Sequence, residues 1–254
     1  MRFSANLGFL FTDRPLPDAI RAAAAAGFDA VECHWPYEVP AGDVAAALAE
    51  TGLPMLGLNT NRGRAGENGL TALPGRETEA LAEIDRAFDY AAAIGAGAVH
   101  VMAGFAEGPA AEATFRATLA EACRRAAPLG LTVLIEPLNR YDAPGYFLTT
   151  TDQARGTIEA VDHPALKLMF DAYHVQIMEG DLCRRLTALA PLIGHVQIAA
   201  VPDRGEPDAG EVDLRYVLAH LAGLGWTAPV GAEYRPRSGS TEAGLGWLPG
   251  FRAI

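Results

Sequence analysis

The sequence contains few cysteines and no long uninterrupted hydrophobic run, and both absences narrow the class of protein. The three cysteines among 254 residues, Cys33, Cys123 and Cys183, are far apart and show no CxxC spacing. They predict neither a disulfide framework nor a zinc site, and they favour a reducing, cytoplasmic location. Gly, Pro or a charge interrupts every apolar stretch before the roughly 18 residues of a membrane span, and residues 1–11 lack the apolar core of a signal peptide.

Basic residues are also scarce. Twenty Lys and Arg against 31 Asp and Glu give a formal net charge of −11, with no visible basic stripe. We therefore expect no nucleic-acid partner and no membrane partner. No GxGxxG turn follows the first strand, and residues 61–66 lack the GxxxxGK[ST] pattern, so neither a dinucleotide fold nor a phosphate loop is indicated. We expect residues 61–66 to form a mobile loop that folds over the site.

Short apolar runs alternate with longer Ala-rich helical patterns along the whole chain, as in repeated βαβ units. Strands are predicted at residues 3–7, 30–34, 54–59, 98–103, 132–137, 166–171, 194–199 and 229–234. Helices are predicted at residues 16–26, 43–51, 77–94, 111–127, 151–161, 182–190 and 214–223. Gly27 and Gly130 are expected to end two helices. No linker divides the chain.

Eight such units in about 250 residues predict a single (β/α)8 TIM barrel domain that spans residues 1–254. Gly244, Gly246, Pro249 and Gly250 interrupt the last segment, so we expect the eighth helix to be short or broken. The sequence is compatible with a homo-oligomer.

Polar residues end four consecutive predicted strands: TVLIE at 132–136, LMFD at 168–171, HVQ at 195–197 and VGAE at 230–233. In a TIM barrel these ends meet at the rim that carries the active site. A single strand-end carboxylate is often only a helix N-cap or a loop ion pair, but four polar ends in register make that interpretation much weaker. Three buried carboxylates would repel one another unless a cation joined them. An all-oxygen set of two Glu, one Asp and one Gln favours one divalent ion, Mg²⁺ or Mn²⁺.

The chain resembles the hydroxypyruvate isomerase family, part of the wider group of xylose isomerase-like TIM barrels. The resemblance rests on IEPLN at 135–139, YFLTT at 146–150, FDAYHVQIMEGD at 170–181 and HVQIA at 195–199. It also includes Glu233-Tyr234, GENG at 66–69 and VMAG at 101–104. The segment from Asp171 to Asp181 is its most specific part.

The resemblance implies that one divalent metal is bound by Glu136, Asp171, Gln197 and Glu233. It implies that Glu136 and Glu233 are the catalytic acid and base, and that His174 and Arg204 contact the substrate. Glutamates on strands 5 and 8 would face each other across the centre of an eight-strand barrel, which suits a pair of proton-transfer groups. At position 200 the chain has Ala where similar sequences tend to have Asp, which bears on the tuning of Arg204 and on substrate preference.

The expected substrate is a small hydroxy-oxo acid, with hydroxypyruvate and tartronate semialdehyde as the interconverted pair. Isomerisation of a four-carbon 2-oxo-tetronate needs the same chemistry, and a ketose 3-epimerase would more often have His in place of Gln197. A DNA-repair nuclease on this fold would need more metal ligands and a basic groove. A ligand-binding barrel without catalysis would need only one of the paired glutamates. His195 is expected to be a hydrogen-bonded core histidine rather than a ligand.

Overall fold

The alternation in the sequence produces a closed parallel barrel in the computed structural model, which describes residues 1–254. The strands are β1 (Phe3–Asn6), β2 (Ala30–Glu32), β3 (Gly57–Asn59), β4 (Ala98–His100), β5 (Thr132–Ile135), β6 (Leu166–Asp171), β7 (Ile193–Ile198) and β8 (Val230–Ala232). They form one sheet in the order β2-β1-β8-β7-β6-β5-β4-β3, and all neighbours are parallel.

Backbone hydrogen bonds between the segments of β2 and β3 close the sheet into a barrel. The Val31 N–H donates to the Pro54 carbonyl at 3.0 Å, and the Leu56 N–H donates to the Val31 carbonyl at 2.8 Å. The predicted (β/α)8 barrel is therefore confirmed, and all eight predicted strands are present with shorter bounds in most cases.

Ten α-helices surround the barrel. They are α1 (Leu16–Ala25), α2 (Ala41–Thr51), α3 (Glu77–Ile94), α4 (Gly108–Ala126), α5 (Thr151–Val161), α6 (Ala172–Met178), α7 (Leu182–Leu189), α8 (Leu214–Gly223), α9 (Thr241–Gly244) and α10 (Leu248–Arg252). Short 3₁₀ turns follow α4, α7 and α9. Gly27 and Gly130 take left-handed φ values of 87° and 68° after α1 and after the turn that follows α4, as their positions predicted.

Two differences from the predicted elements concern the C-terminal half. Helix α6 begins directly after β6 and was not predicted, because no turn residues separate it from the strand. The eighth helix is broken into α9, a 3₁₀ turn and α10, as Gly246 and Pro249 indicated. None of the helices combines the length and apolarity needed to cross a membrane.

Apolar packing lies mainly outside the barrel. One cluster of 64 buried apolar residues fills the space between the sheet and the helices. A separate small cluster of Ala98, Leu134 and Met169 lies inside the barrel. Because strand side chains alternate, the inward positions two residues later along β4, β5 and β6 carry His100, Glu136 and Asp171. The barrel interior therefore becomes polar towards its C-terminal rim.

A substitution of Phe115 in α4 tests the packing between the barrel and the helices. Its side chain is fully buried and packs edge-to-face on Phe147, with 5.2 Å between ring centroids. We expect Phe115→Ala to lower the free energy of unfolding by about 3–5 kcal/mol in urea titrations followed by circular dichroism. Leu129→Ala, at a site that is 48% exposed, is the control and should change it far less. Equal losses in the two variants would contradict this account of the core.

Candidate active site

The four polar strand ends come together at one rim of the barrel. Glu136 directly follows β5, Asp171 ends β6, Gln197 lies in β7, and Glu233 directly follows β8. Each is buried, with no more than 6% of its surface exposed. Asp171 and Gln197 are paired neighbours on adjacent strands. The structure thus gathers the residues that the sequence proposed as a set.

Each of the four residues has one buried oxygen without a hydrogen-bond partner. These atoms are Glu136 Oε1, Asp171 Oδ2, Gln197 Oε1 and Glu233 Oε2. Buried polar atoms in folded proteins are almost always satisfied, so four such oxygens at one rim indicate a missing partner. The donor set contains only oxygen, which fits a hard divalent cation such as Mg²⁺ or Mn²⁺.

Asp171 divides its two oxygens between structure and site. Its Oδ1 accepts a hydrogen bond from the Tyr173 N–H at 2.9 Å and so forms the N-cap of α6. Its Oδ2 is buried and has no hydrogen bond. The ordinary structural role of a strand-end aspartate is therefore filled by one oxygen, while the other is available to a ligand.

Arg204 lies against the carboxylates. Its Nη2 is 3.2 Å from Glu233 Oε2 and 3.7 Å from Asp171 Oδ2. Its Nη1 donates to Asp142 Oδ2 at 3.1 Å, whereas its buried Nε has no partner. The guanidinium also contacts the rings of Phe9 and Tyr173.

The acidic neighbours of Arg204 in its own loop are engaged elsewhere. Asp203 and Glu206 both pair with Arg237, at 2.6 Å and 3.2 Å. Arg204 is thus not held in a solvated ion pair within the loop but is directed into the rim, with 8% of its surface exposed.

Negative charge is in excess at this rim. Burial, together with Glu233 and Asp171, raises the pKa of Glu136 well above its usual range. Burial and Glu233 also raise the pKa of Asp171, to about 7, although Arg204 acts in the opposite direction. Burial alone would raise the pKa of Glu233, but Arg204 and His34 outweigh it and lower that pKa. A divalent cation would offset the same repulsion.

His174 is held by the loop that follows β5. Its Nδ1 accepts a hydrogen bond from the Asn139 backbone N–H at 3.0 Å. Burial, followed by Arg204, lowers its pKa well below the usual value. A neutral ring that accepts at Nδ1 carries its proton on Nε2, which lies 3.6 Å from Asp171 Oδ2 and 3.9 Å from Glu136 Oε1.

His174 also belongs to a compact group of potential metal ligands. One atom each of Glu136, Asp171 and His174 lie within 4.8 Å of one another. Because Nε2 of His174 carries the proton, that atom is a hydrogen-bond donor to the site rather than a ligand. This geometry favours a substrate contact for His174.

Three residues of the site, His34, His100 and Asp142, were not predicted from the sequence. His34 Nε2 lies 2.9 Å from Glu233 Oε1, and His100 Nδ1 lies 3.4 Å from Glu136 Oε2. Asp142 pairs with Arg204. His34 and His100 could have been predicted in the same way as the four polar strand ends, since His100 ends β4 and His34 closely follows β2. Asp142 lies in an irregular loop and gives no such signal.

Beneath the rim, His195 is a buried, hydrogen-bonded core histidine, as expected. Its Nε2 lies 2.7 Å from Glu32 Oε2. Burial by itself would raise the pKa of Glu32, but the His195 ring, with the hydrogen bonds that Glu32 accepts, lowers it to about 2. Glu32 was not predicted from the sequence, because its partner His195 is 163 residues away.

A cleft of about 160 Å³ opens above the carboxylates. Its walls include Trp35, Arg62, Asn68, His174 and Arg204. Arg62 belongs to the predicted mobile loop at 61–66, and its guanidinium lies 4.5 Å from the centre of the Trp35 ring. The loop therefore forms one wall of the cleft. A second cavity of about 210 Å³ lies deeper in the barrel, below Glu136 and Glu233.

Comparison with known proteins gives close matches over nearly the full chain. The 2-oxo-tetronate isomerase of Cupriavidus necator is 46% identical over 253 residues, which cover 97% of each chain. The hydroxypyruvate isomerase of Escherichia coli is 37% identical over 258 residues, which cover 99% of this chain and 100% of the relative.

The fold is equally close to a solved structure. The structure described as an AP endonuclease, family 2, from Brucella melitensis has a TM-score of 0.95 at 41% sequence identity and covers 98% of both chains. A family model described as the xylose isomerase-like TIM barrel matches residues 20–250. The chain therefore belongs to the xylose isomerase-like TIM barrel family, among its hydroxypyruvate isomerase-like members.

Proposed function

We propose that the protein is a metal-dependent isomerase that interconverts hydroxypyruvate and tartronate semialdehyde. The observation that carries this proposal is the set of four buried oxygens without a hydrogen-bond partner on Glu136, Asp171, Gln197 and Glu233. Of these, only the Glu233 oxygen has an ion-pair partner within 3.5 Å, Arg204. These residues would hold one Mg²⁺ or Mn²⁺ ion. When bound, the ion supplies Lewis-acid stabilisation of negative charge that develops on the substrate oxygens.

Proton transfer is assigned to Glu136 and Glu233. They follow strands on either side of the two that supply Asp171 and Gln197, so substrate placed over the quartet lies between them. One glutamate removes a proton from C3 of hydroxypyruvate, and the electron pair forms the C2–C3 double bond of an enediolate. The π pair of the C2 carbonyl moves to the C2 oxygen in this step. The other glutamate returns a proton to C2, and the proton of the C3 hydroxyl passes to the C2 oxygen, so that C3 becomes the aldehyde and C2 the secondary alcohol.

Arg204 and His174 would bind the substrate. Arg204 Nε is buried and unpartnered beside Glu233, which suits a hydrogen bond to the substrate carboxylate. His174 presents its Nε2–H towards Glu136 and Asp171, where it can donate to a substrate oxygen. Trp35 and Arg62 line the same cleft.

A second substrate, a four-carbon 2-oxo-tetronate, is favoured by the 46% identity to the Cupriavidus necator enzyme of that name. The carboxylate, carbonyl and hydroxyl groups are shared, so the same residues would serve. A ketose 3-epimerase is less favoured, since Gln occupies position 197 and a sugar offers no carboxylate to Arg204. A nuclease is disfavoured by the net charge of −11 and by a single group of clustered ligands.

The proton-transfer mechanism predicts isotope exchange with solvent. Product formed from hydroxypyruvate in D₂O should carry deuterium at C2, because the proton returned by a carboxylate equilibrates with water. Mass spectrometry of the trapped product measures this directly. Complete transfer of deuterium from C3 of labelled substrate to C2 in H₂O would instead indicate a hydride shift.

Removal of one proton-transfer group should abolish turnover without unfolding the barrel. We expect Glu233→Gln to lower kcat by about 10²–10⁴-fold, since an amide cannot accept the proton. Glu211→Gln, at an exposed loop position, is the matched control and should retain wild-type kcat. Undiminished activity of Glu233→Gln, with circular dichroism unchanged, would remove Glu233 from the mechanism.

A substrate panel tests the reaction class and the cation together. With Mg²⁺ or Mn²⁺ we expect turnover of hydroxypyruvate and of a 2-oxo-tetronate with kcat/KM values that differ by about 10–200-fold, the range for one additional carbon. Ketoses should react much more slowly, and a chelator should suppress all turnover until Mg²⁺ or Mn²⁺ is restored. Preferred turnover of ketoses would support an epimerase, and binding without turnover would support a ligand-binding barrel.

A further inference from the structure

Glu32, the last residue of β2, lies inside the barrel below the proposed cation site. Only 4% of its surface is exposed. Its carboxylate accepts hydrogen bonds from Ser4 Oγ at 2.8 Å and Asn6 Nδ2 at 3.0 Å. It also contacts His195 Nε2 at 2.7 Å and accepts from Gln197 Nε2 at 2.7 Å. Donors from β1 and β7 therefore converge on both of its oxygens.

The bond to Gln197 fixes the direction of an amide that could otherwise point either way. Gln197 Nε2 donates to Glu32 Oε1, and Gln197 Oε1 is consequently turned away from Glu32. That amide oxygen is buried and has no hydrogen-bond partner. A reversed amide would place its oxygen against the Glu32 carboxylate, which can only accept hydrogen bonds while ionised. Glu32 thus selects the orientation with the oxygen towards the rim.

The neighbouring strand leaves space for this pair. Gly231 of β8 is the register partner of Gln197. A Cβ atom at position 231 would lie 2.7 Å from Gln197 Cγ and 2.7 Å from Glu32 Oε1. Any larger residue there would displace both side chains. The glycine at position 231 therefore leaves the space in which the side chains of Glu32 and Gln197 make their hydrogen bond.

We propose that Glu32 is a positioning residue that holds the Gln197 amide with its oxygen directed at the divalent cation. This inference rests on the proposed function, since it assumes that Gln197 is one of the cation ligands. Glu32 itself acts through Gln197 and does not touch the substrate. The role requires a group at position 32 that can only accept hydrogen bonds, as an ionised carboxylate does, while Gln is present at position 197.

Mn²⁺ binding in the absence of substrate provides the test. The free ion is followed by electron paramagnetic resonance during titration of the wild type and of Glu32→Gln. The amide at position 32 can offer its own N–H groups to Gln197, so the ligand amide loses its fixed direction. We expect Mn²⁺ affinity to fall by about 10–100-fold, the usual effect of changing a group that orients a metal ligand.

A double-mutant cycle separates positioning from a merely structural role. In Gln197→Glu, position 197 carries a carboxylate that faces the Glu32 carboxylate and repels it. Adding Glu32→Gln to that variant supplies a donor, so one oxygen of the new glutamate accepts from position 32 and the other faces the cation. We expect Glu32→Gln to weaken Mn²⁺ binding in the wild-type background and to strengthen it in the Gln197→Glu background.

Ser4→Ala is the matched control. It removes one hydrogen bond to Glu32 Oε2 and leaves His195 and the Gln197 bond to Oε1 in place, and it should keep Mn²⁺ affinity close to that of the wild type. If Glu32→Gln does not fold, as judged by circular dichroism, Glu32→Asp replaces it. The aspartate keeps the charge beside His195 but is too short to hold both bonds, and it should also weaken Mn²⁺ binding.

The outcomes are distinguishable. Unchanged Mn²⁺ affinity in Glu32→Gln, or an equal loss in both backgrounds of the cycle, would overturn the positioning role while leaving the proposed function intact. Failure of the wild-type protein to bind Mn²⁺ would overturn both. Opposite effects in the two backgrounds would support the positioning role.

Discussion

The repulsion among buried carboxylates at the C-terminal rim is the constraint on which the rest of the site depends. Glu136, Asp171 and Glu233 are all buried, and taking several negative charges out of water costs several kcal/mol for each one that is not compensated. The guanidinium of Arg204 and the ring of His34 compensate this negative charge only in part. Four buried oxygens at the rim therefore lack a hydrogen-bond partner, which is the basis of the proposal that the site binds a cation.

The surroundings of the rim follow from this excess of charge. Hydrogen bonds hold the carboxylate and amide groups in place. The Tyr173 N–H donates to Asp171, the His34 ring bonds to Glu233, and Glu32 accepts from Gln197. Ala98, Leu134 and Met169 form a separate apolar cluster lower in the barrel. Preorganised polar groups are the common basis of electrostatic stabilisation in enzymes, because they need no rearrangement during the reaction.

Much of this arrangement could be predicted from the sequence because it is local and periodic. The eight strands, the broken last helix and the four polar strand ends all follow from patterns within a few residues. Contacts across the barrel were not predictable in the same way. His195 and Glu32 are in contact although they are 163 residues apart in the sequence, and Arg204 and Asp142 are 62 residues apart. Helix α6 was missed because Asp171 serves both as the end of a strand and as the cap of the next helix, so no turn separates the two elements.

The double use of Asp171 has a consequence for substitutions at this position. Its capping oxygen fixes the first turn of α6, and that turn carries His174 two positions after Ala172, while the other oxygen faces the rim. The rim-facing oxygen of Asp171 and the His174 ring are thereby parts of one unit only four residues long. A substitution at Asp171 therefore alters both groups together, whereas a substitution at Arg62, in the loop at 61–66, alters the cleft wall and leaves the buried oxygens in place.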